Sequence, residues 1–186
     1  MKIRRLVPAD GRAFQELRLA ALQAAPEAFG SSFEEEKDTP LSVVGDRLAP
    51  SETSAVFAAE AEGRLVGVIG IYREKAIKAR HKANIWGMFV RPEHRKGGIG
   101  AALVREALAF AHTLPDLHQV RLSVNAANLP ALALYKARGF RSYGTEPKSL
   151  LVNGKAHDEI HMVLFLGSET QQRAPRGRVS LREPRR

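Results

Sequence analysis

The chain contains no cysteine. Disulfides, thiolate catalysis and cysteine-built metal sites are therefore excluded. Its opening residues, MKIRRLVPADGRAF, lack the apolar core of a signal peptide, and no apolar run approaches the length needed to span a membrane. A soluble cytoplasmic protein is expected. The six histidines are scattered, and His157-Asp158-Glu159 lacks the helical spacing of H-E-x-x-H, so no metal site is expected. No internal repeat is visible. What is present is apolar mass: 44% of the 186 residues are hydrophobic, enough for one sizeable core and one domain.

The formal charge of +9 invites a nucleic-acid reading. Its distribution weakens that reading. The last 19 residues, SETQQRAPRGRVSLREPRR, hold six arginines and two glutamates, +4 of the total. This segment, 168–186, has almost no apolar residues and two prolines, and is expected to be a disordered basic tail beyond a folded domain at 1–167. No aromatic residue is interleaved with its arginines, which disfavours stacking on single strands.

MKIRRLV reads as a first strand. Asp10 is placed to cap a helix running to about Ala25, with Phe14, Leu17 and Ala21 on one face, and Pro26 ends it. A loop or broken helix with an acidic run follows, then a short helix over Leu41–Leu48. SAVFAAEAEGRLVGVIGIYRE predicts two strands around a turn at Glu62–Gly63, the second apolar enough to be central. KANIWGMFV predicts a strand ending at Val90. A helix is expected from about Gly98 to Thr113, a strand over Val120–Val124, and a helix led by Pro130 and closed by Gly139. FRSYGT and DEIHMVLFL supply two last, paired strands. The sum is a mixed α/β domain with a central sheet flanked by helices.

The stretch VRPEHRKGGIGAALVREAL passes from strand through a basic, glycine-rich turn into a helix. The first N–H groups of a helix have no intrahelical partner and carry the positive end of its dipole. Small residues let that backbone approach phosphate oxygens, and Arg95 and Lys96 add charge, so the turn is best explained as a phosphate cradle. It is not a Walker A loop, because Ala101 and Ala102 follow Gly100. It is not a dinucleotide fingerprint either: Leu103 stands where the last glycine belongs. What fits is R-x-x-G-x-G, carried by Arg95, Gly98 and Gly100.

With this motif the chain resembles the GNAT superfamily of acyl-CoA-dependent N-acetyltransferases over about Met1 to Leu166. MFVRPEHRKGGIGAALV is similar to that family's strand, pyrophosphate loop and helix, and NAANLPALALYKARGF is similar to its second motif. LRLAALQAAPEAFGSSFEEE resembles a bacterial subgroup, which names no substrate. The resemblance implies acetyl-CoA as co-substrate and an amine acceptor, either a small molecule or a protein, with a homodimer among the assemblies it allows. It further implies that Phe89 and Val90 pair with the pantetheine arm, and that an N–H near Met88 or Phe89 faces the thioester oxygen. By the same resemblance Arg95, Lys96, Gly97, Gly98, Ile99, Gly100 and Ala101 hold the pyrophosphate. Asn128 would bond the pantetheine arm, and Tyr135 would donate a proton to the leaving sulfur.

The reaction needs a neutral amine, whereas an alkylamine titrates near pH 10 in water. A base, direct or through water, is therefore expected. Glu34, Glu35 and Glu36 lie where family members build the acceptor wall, and Glu35 is the catalytic candidate among them; the alternative is a solvated acidic face. This acidic loop leans toward a cationic acceptor. Asp158, Glu159, His81 and His161 are further candidates, with Asn84 and Trp86 as pocket residues. Bland alternatives stand beside the rest: Tyr135 packing on the sheet, Asn128 serving as an N-cap, Arg95 as a solvated cation. Two competing readings are a CoA-binding module without catalysis and a nucleic-acid binder using the arginine tail.

Overall fold

The computed structural model describes residues 1–167. The basic tail at 168–186, and any nucleic-acid contact assigned to it, lie outside the described residues.

Strand β1 (Lys2–Arg5) leads into helix α1 (Gly11–Ala24). A one-turn helix α2 (Phe33–Glu36) and helix α3 (Leu41–Leu48) follow. Strands β2 (Ser54–Ala61), β3 (Arg64–Arg73) and β4 (Lys82–Val90) form a meander. Then come α4 (Ile99–Thr113), β5 (Gln119–Asn125), α5 (Leu129–Ala137), β6 (Arg141–Val152) and β7 (Lys155–Phe165). The seven strands make one sheet in the order β1-β2-β3-β4-β5-β7-β6, in which β4 and β5 pair parallel and the other neighbours antiparallel. This is the mixed α/β sheet flanked by helices that the sequence predicts.

Two cores cover the sheet. Phe14, Leu17 and Leu22 of α1 and Val44 and Leu48 of α3 pack on Val56, Ala58, Val68 and Phe89. Leu103, Val104, Ala107 and Ala111 of α4, with Leu132 and Tyr135 of α5, pack on Val66, Ile69, Ile71 and Val120. Strand β3 lies between them and is buried without a break from Leu65 to Ile71, which is why it does not alternate with polar residues.

The structure corrects two expectations and decides a third. Asp10 does not cap α1 with its side chain: its carboxylate takes two bonds from the Arg4 guanidinium at 2.8 Å and one from the Val7 N–H. Those charge-assisted partners outcompete a helix amide. Of the loop and broken-helix alternatives the acidic run takes the second: Ser32 accepts from the Glu35 N–H while Glu35 reaches back to Ser32, closing one helical turn. The last two strands are longer than expected and join in a hairpin at Asn153–Gly154. Both turn residues have positive φ, 49° and 77°, as the favoured two-residue hairpin turn requires.

Candidate active site

Strands β4 and β5 run together for three residue pairs only, from Lys82–Gln119 to Asn84–Arg121. Past that point β5 continues against β7 and β4 continues against β3. The strands part because β4 bulges: Trp86 faces Gly70 and Phe89 faces Val68, so Gly87 and Met88 together oppose Ile69. Gly87 sits at φ +63°, which a side chain would strain. An extra residue of this kind bends its strand. The parting leaves a slot of about 80 Å³ bordered by Met88, Val124, Asn125, Asn128, Ala131 and Tyr135. Arg91 N–H bonds back to Val66 in β3. By strand alternation, Val90 turns its main-chain groups toward the slot side and Phe89 toward β3.

The basic turn follows β4, and Gly100 behind it packs against Met88, which borders the slot. Gly98 precedes α4 with φ +79°, and the first helical bond runs from Ala102 N–H to the Gly98 carbonyl at 3.0 Å. The N–H groups of Lys96 to Ala101 find no main-chain acceptor among the described residues. A side chain added to Gly98 would meet nothing within 4 Å, whereas one on Gly100 would stand 3.1 Å from Met88 Cε and 3.3 Å from Leu134 Cδ2. The two motif glycines therefore do different work. Gly98 supplies the left-handed backbone from which α4 starts, and Gly100 lets α4 sit close to β4 and α5. Arg95 donates from Nε to the Val90 carbonyl at 2.9 Å and lies over the Phe89 ring at 5.7 Å. It braces the turn against β4. Lys96 and Gly97 are exposed, Ala101 is half-buried and Ile99 is buried as the anchor of the helix start.

Asn128 caps α5, its Oδ1 accepting from the Ala131 N–H at 3.1 Å. Its amide NH₂ remains beside the slot. Tyr135 borders the slot from α5, is 5% exposed, and meets Phe140 edge-on at 5.7 Å. Burial raises its phenol well above the usual tyrosine range. Asn125, which sequence reasoning passed over, is buried at the same wall and donates to the Glu27 carbonyl while accepting from Ala127 N–H.

A larger cleft of about 520 Å³ opens beside the slot and shares Trp86, Gly87, Leu122 and Ser123 with it. At this junction Ser123 Oγ lies 2.8 Å from His161 Nδ1, and His161 Nε2 lies 3.1 Å from Glu146 Oε2. A carboxylate only accepts, so the Nε2 proton points to Glu146 and Nδ1 accepts the serine proton. Tyr143 stacks on the imidazole at 5.8 Å, re-aimed by a register shift between Ser142 and Gly144. Glu159 and Asn84 also line the cleft; they are held by Ser149 and Glu74.

The acidic run does not line it. Glu34 pairs with Lys37, and Glu35 is exposed and spent on Ser32. Glu36 is buried between Arg47, at 2.7 Å, and Arg18, at 3.6 Å. The lean toward a cationic acceptor loses its basis accordingly. Asp158 accepts from the Lys148 N–H, and His81 lies against His118, both outside the cleft lining. Arg18 does line it and was not foreseen. Among the described residues no group of three or more His, Cys, Asp or Glu is arranged to hold a metal ion, and no helix is long and apolar enough to cross a membrane.

A family model described as "Acetyltransferase (GNAT) family" matches residues 17–140. N-acetyltransferase 8 of Homo sapiens is 30% identical over 137 residues, which cover 70% of this chain and 57% of that protein. The chain thus spans little more than half the length of this relative. An acetyltransferase of the GNAT family from Streptococcus pneumoniae superposes with a TM-score of 0.78 at 20% identity, covering 89% of this chain and 99% of that one. YncA of Salmonella typhimurium, a putative acetyltransferase solved with its cofactor acetyl-CoA, gives 0.75 at 20% identity, with 94% and 98% covered.

Proposed function

This chain belongs to the acetyltransferase (GNAT) family, and from that premise we propose that it moves an acetyl group from acetyl-CoA to a primary amine by direct attack on the thioester. The observation that carries the reading is the continuity of three parts. The free helix-start amides at Lys96–Ala101 follow β4, Gly100 among them packs on Met88 at the border of the slot between the parted strands, and the slot opens into a cleft at Ser123.

The diphosphate is held by the turn, through the helix-start amides and the positive end of α4, with Lys96 adding charge. The pantetheine arm lies in the slot, taking the unpaired edge of β4 as a strand would, with the Asn128 NH₂ at its side. The thioester then reaches the junction with the cleft. There the acceptor amine gives a proton to Ser123 Oγ as the serine proton passes to His161 Nδ1, and Glu146 stabilises the imidazolium that results. The neutral amine attacks the carbonyl carbon, the C–N bond forms, the C–S bond breaks, and the nitrogen sheds its second proton to solvent as the amide forms. Tyr135 lies on the slot side, where the sulfur departs. Its phenol, held protonated by its surroundings, donates to the thiolate, and solvent restores both groups. A main-chain N–H of the β4 bulge at Met88 serves the oxyanion. Acetyl-CoA is a solute of the cell interior, so we place the reaction in the cytoplasm.

The test is an acceptor screen with purified protein and acetyl-CoA, reading free thiol and identifying the product by mass. Thiol release with an N-acetylated product supports the reading. Acetyl-CoA binding with no transfer to any amine would leave a CoA-binding module in its place.

A further inference from the structure

We propose that Arg18 is the carboxylate-binding residue of the acceptor site and that the acceptor is an α-amino acid; this rests on the acetyl-transfer reading above. Arg18 projects from α1 into the buried stripe of that helix and is 6% exposed. Its guanidinium lies between two pieces of cleft wall. The Phe29 ring stands 5.0 Å from Cζ, and Nη1 is 3.9 Å from where a Cβ on Gly87 would be. Nε and Nη1 have no hydrogen-bond partner among the described residues. Nη2 has only a loose contact, 3.6 Å from Glu36, whose other oxygen is held by Arg47 at 2.7 Å.

A guanidinium removed from water with Nε and Nη1 unpaired is costly; a planar carboxylate meets Nη1 on the Gly87 side, and Nη2, only loosely held by Glu36, completes the fork for its second oxygen. On this wall Arg18 is the cation without a close carboxylate partner. The wall's charged residues are Arg18, Arg121 and Glu159, and Arg121 already holds Glu74 at 2.8 Å. A polyamine would bring its charges against Arg18. Gly87 borders both cleft and slot, so a carboxylate on Arg18 sits beside the point where the thioester arrives. Amine and carboxylate must then be close together in one molecule, as they are on an α-carbon. A protein N-terminus carries an amide at that position and fails the same test. Trp86, Tyr72 and Tyr143 offer apolar walls for the side chain.

The experiment pairs each proteinogenic L-amino acid with its own carboxamide as acceptor for the full chain, reading thiol release. The wild type is expected to favour at least one free acid over its amide by roughly 10²-fold in kcat/KM, because the amide leaves the buried charge unpaired. Arg18→Met is expected to collapse that ratio toward parity, and Arg18→Lys to restore part of it. Amides used as well as acids by the wild type would overturn the proposal without needing a variant to fold. An unchanged ratio in a folded Arg18→Met would overturn it too. Transfer to amines lacking a carboxylate, with none to amino acids, sinks this inference and leaves acetyl transfer standing. No transfer to any amine sinks the reading beneath it.

Discussion

Replacing Gly98 with alanine isolates what the backbone contributes at the basic turn. Gly98 holds φ +79° with nothing within 4 Å of a would-be Cβ, so alanine meets no clash and suffers only in its backbone. An L-residue in that left-handed region costs about 1–2 kcal/mol. Unliganded, the exposed turn can relax and avoid part of this cost. To present the amides of Lys96–Ala101 to a diphosphate it must return to the strained form. The affinity for acetyl-CoA then falls by up to the same energy, roughly 5–30-fold in Kd. Gly63 supplies the control: it sits at φ +72° in the β2–β3 turn, likewise with nothing within 4 Å. Gly98→Ala should lose no more thermal stability than Gly63→Ala, whereas titration calorimetry with acetyl-CoA should register a loss of affinity only for Gly98→Ala. A Gly98→Ala protein that binds within twofold of wild type, or a Gly63→Ala protein equally impaired, would refute the assignment of the phosphate to this turn.

Tyr135→Phe should preserve acetyl-CoA binding and lower kcat by about 10²–10⁴-fold, and full turnover would reduce Tyr135 to packing. The same tyrosine predicts an alkaline limb in stability. Its folded value is raised, so the unfolded chain releases the proton first, near pH 10, and stability falls as pH climbs beyond that point. Thermal unfolding between pH 9 and 11 should show Tyr135→Phe with the shallower decline (about 10 being the free tyrosine value). His161→Ala should cut kcat by about 10²-fold or more, with part of the loss recovered by added imidazole entering the open cleft. Ser123→Ala should be similarly slow but beyond such rescue, and full activity in either variant would remove the relay.

Much of this was legible in the residues. The order of strands and helices follows from apolar spacing and punctuation, and the glycine turn by itself announces free amides. What escaped did so for physical reasons. The hairpin at Asn153–Gly154 is the exception, since an Asn-Gly pair between strand residues is an open signal for two positive φ values. The phase of a four-residue helix cannot be read from four residues, so Glu36 looked like Glu34 and Glu35 although it alone is buried. Arg18 had a readable mark: it stands four residues after Phe14 and four before Leu22, inside the apolar stripe of α1, where a charge needs a partner. The Ser123–His161–Glu146 line is assembled across β5, β7 and β6, and only strand register brings those residues together. The bulge that parts β4 from β5 left one trace, Gly87 within the apolar half of its strand, Ile85 to Val90.

The central claim is that coenzyme A enters between β4 and β5 with its diphosphate on the turn at Arg95–Ala101. A crystal structure of the protein with coenzyme A tests it most directly. The account predicts phosphate oxygens within hydrogen-bond distance of the amides around Gly98 to Ala101, the pantetheine arm along Met88–Val90, and the sulfur near Tyr135. Coenzyme A bound elsewhere, with the slot closed and those amides facing solvent, would contradict it.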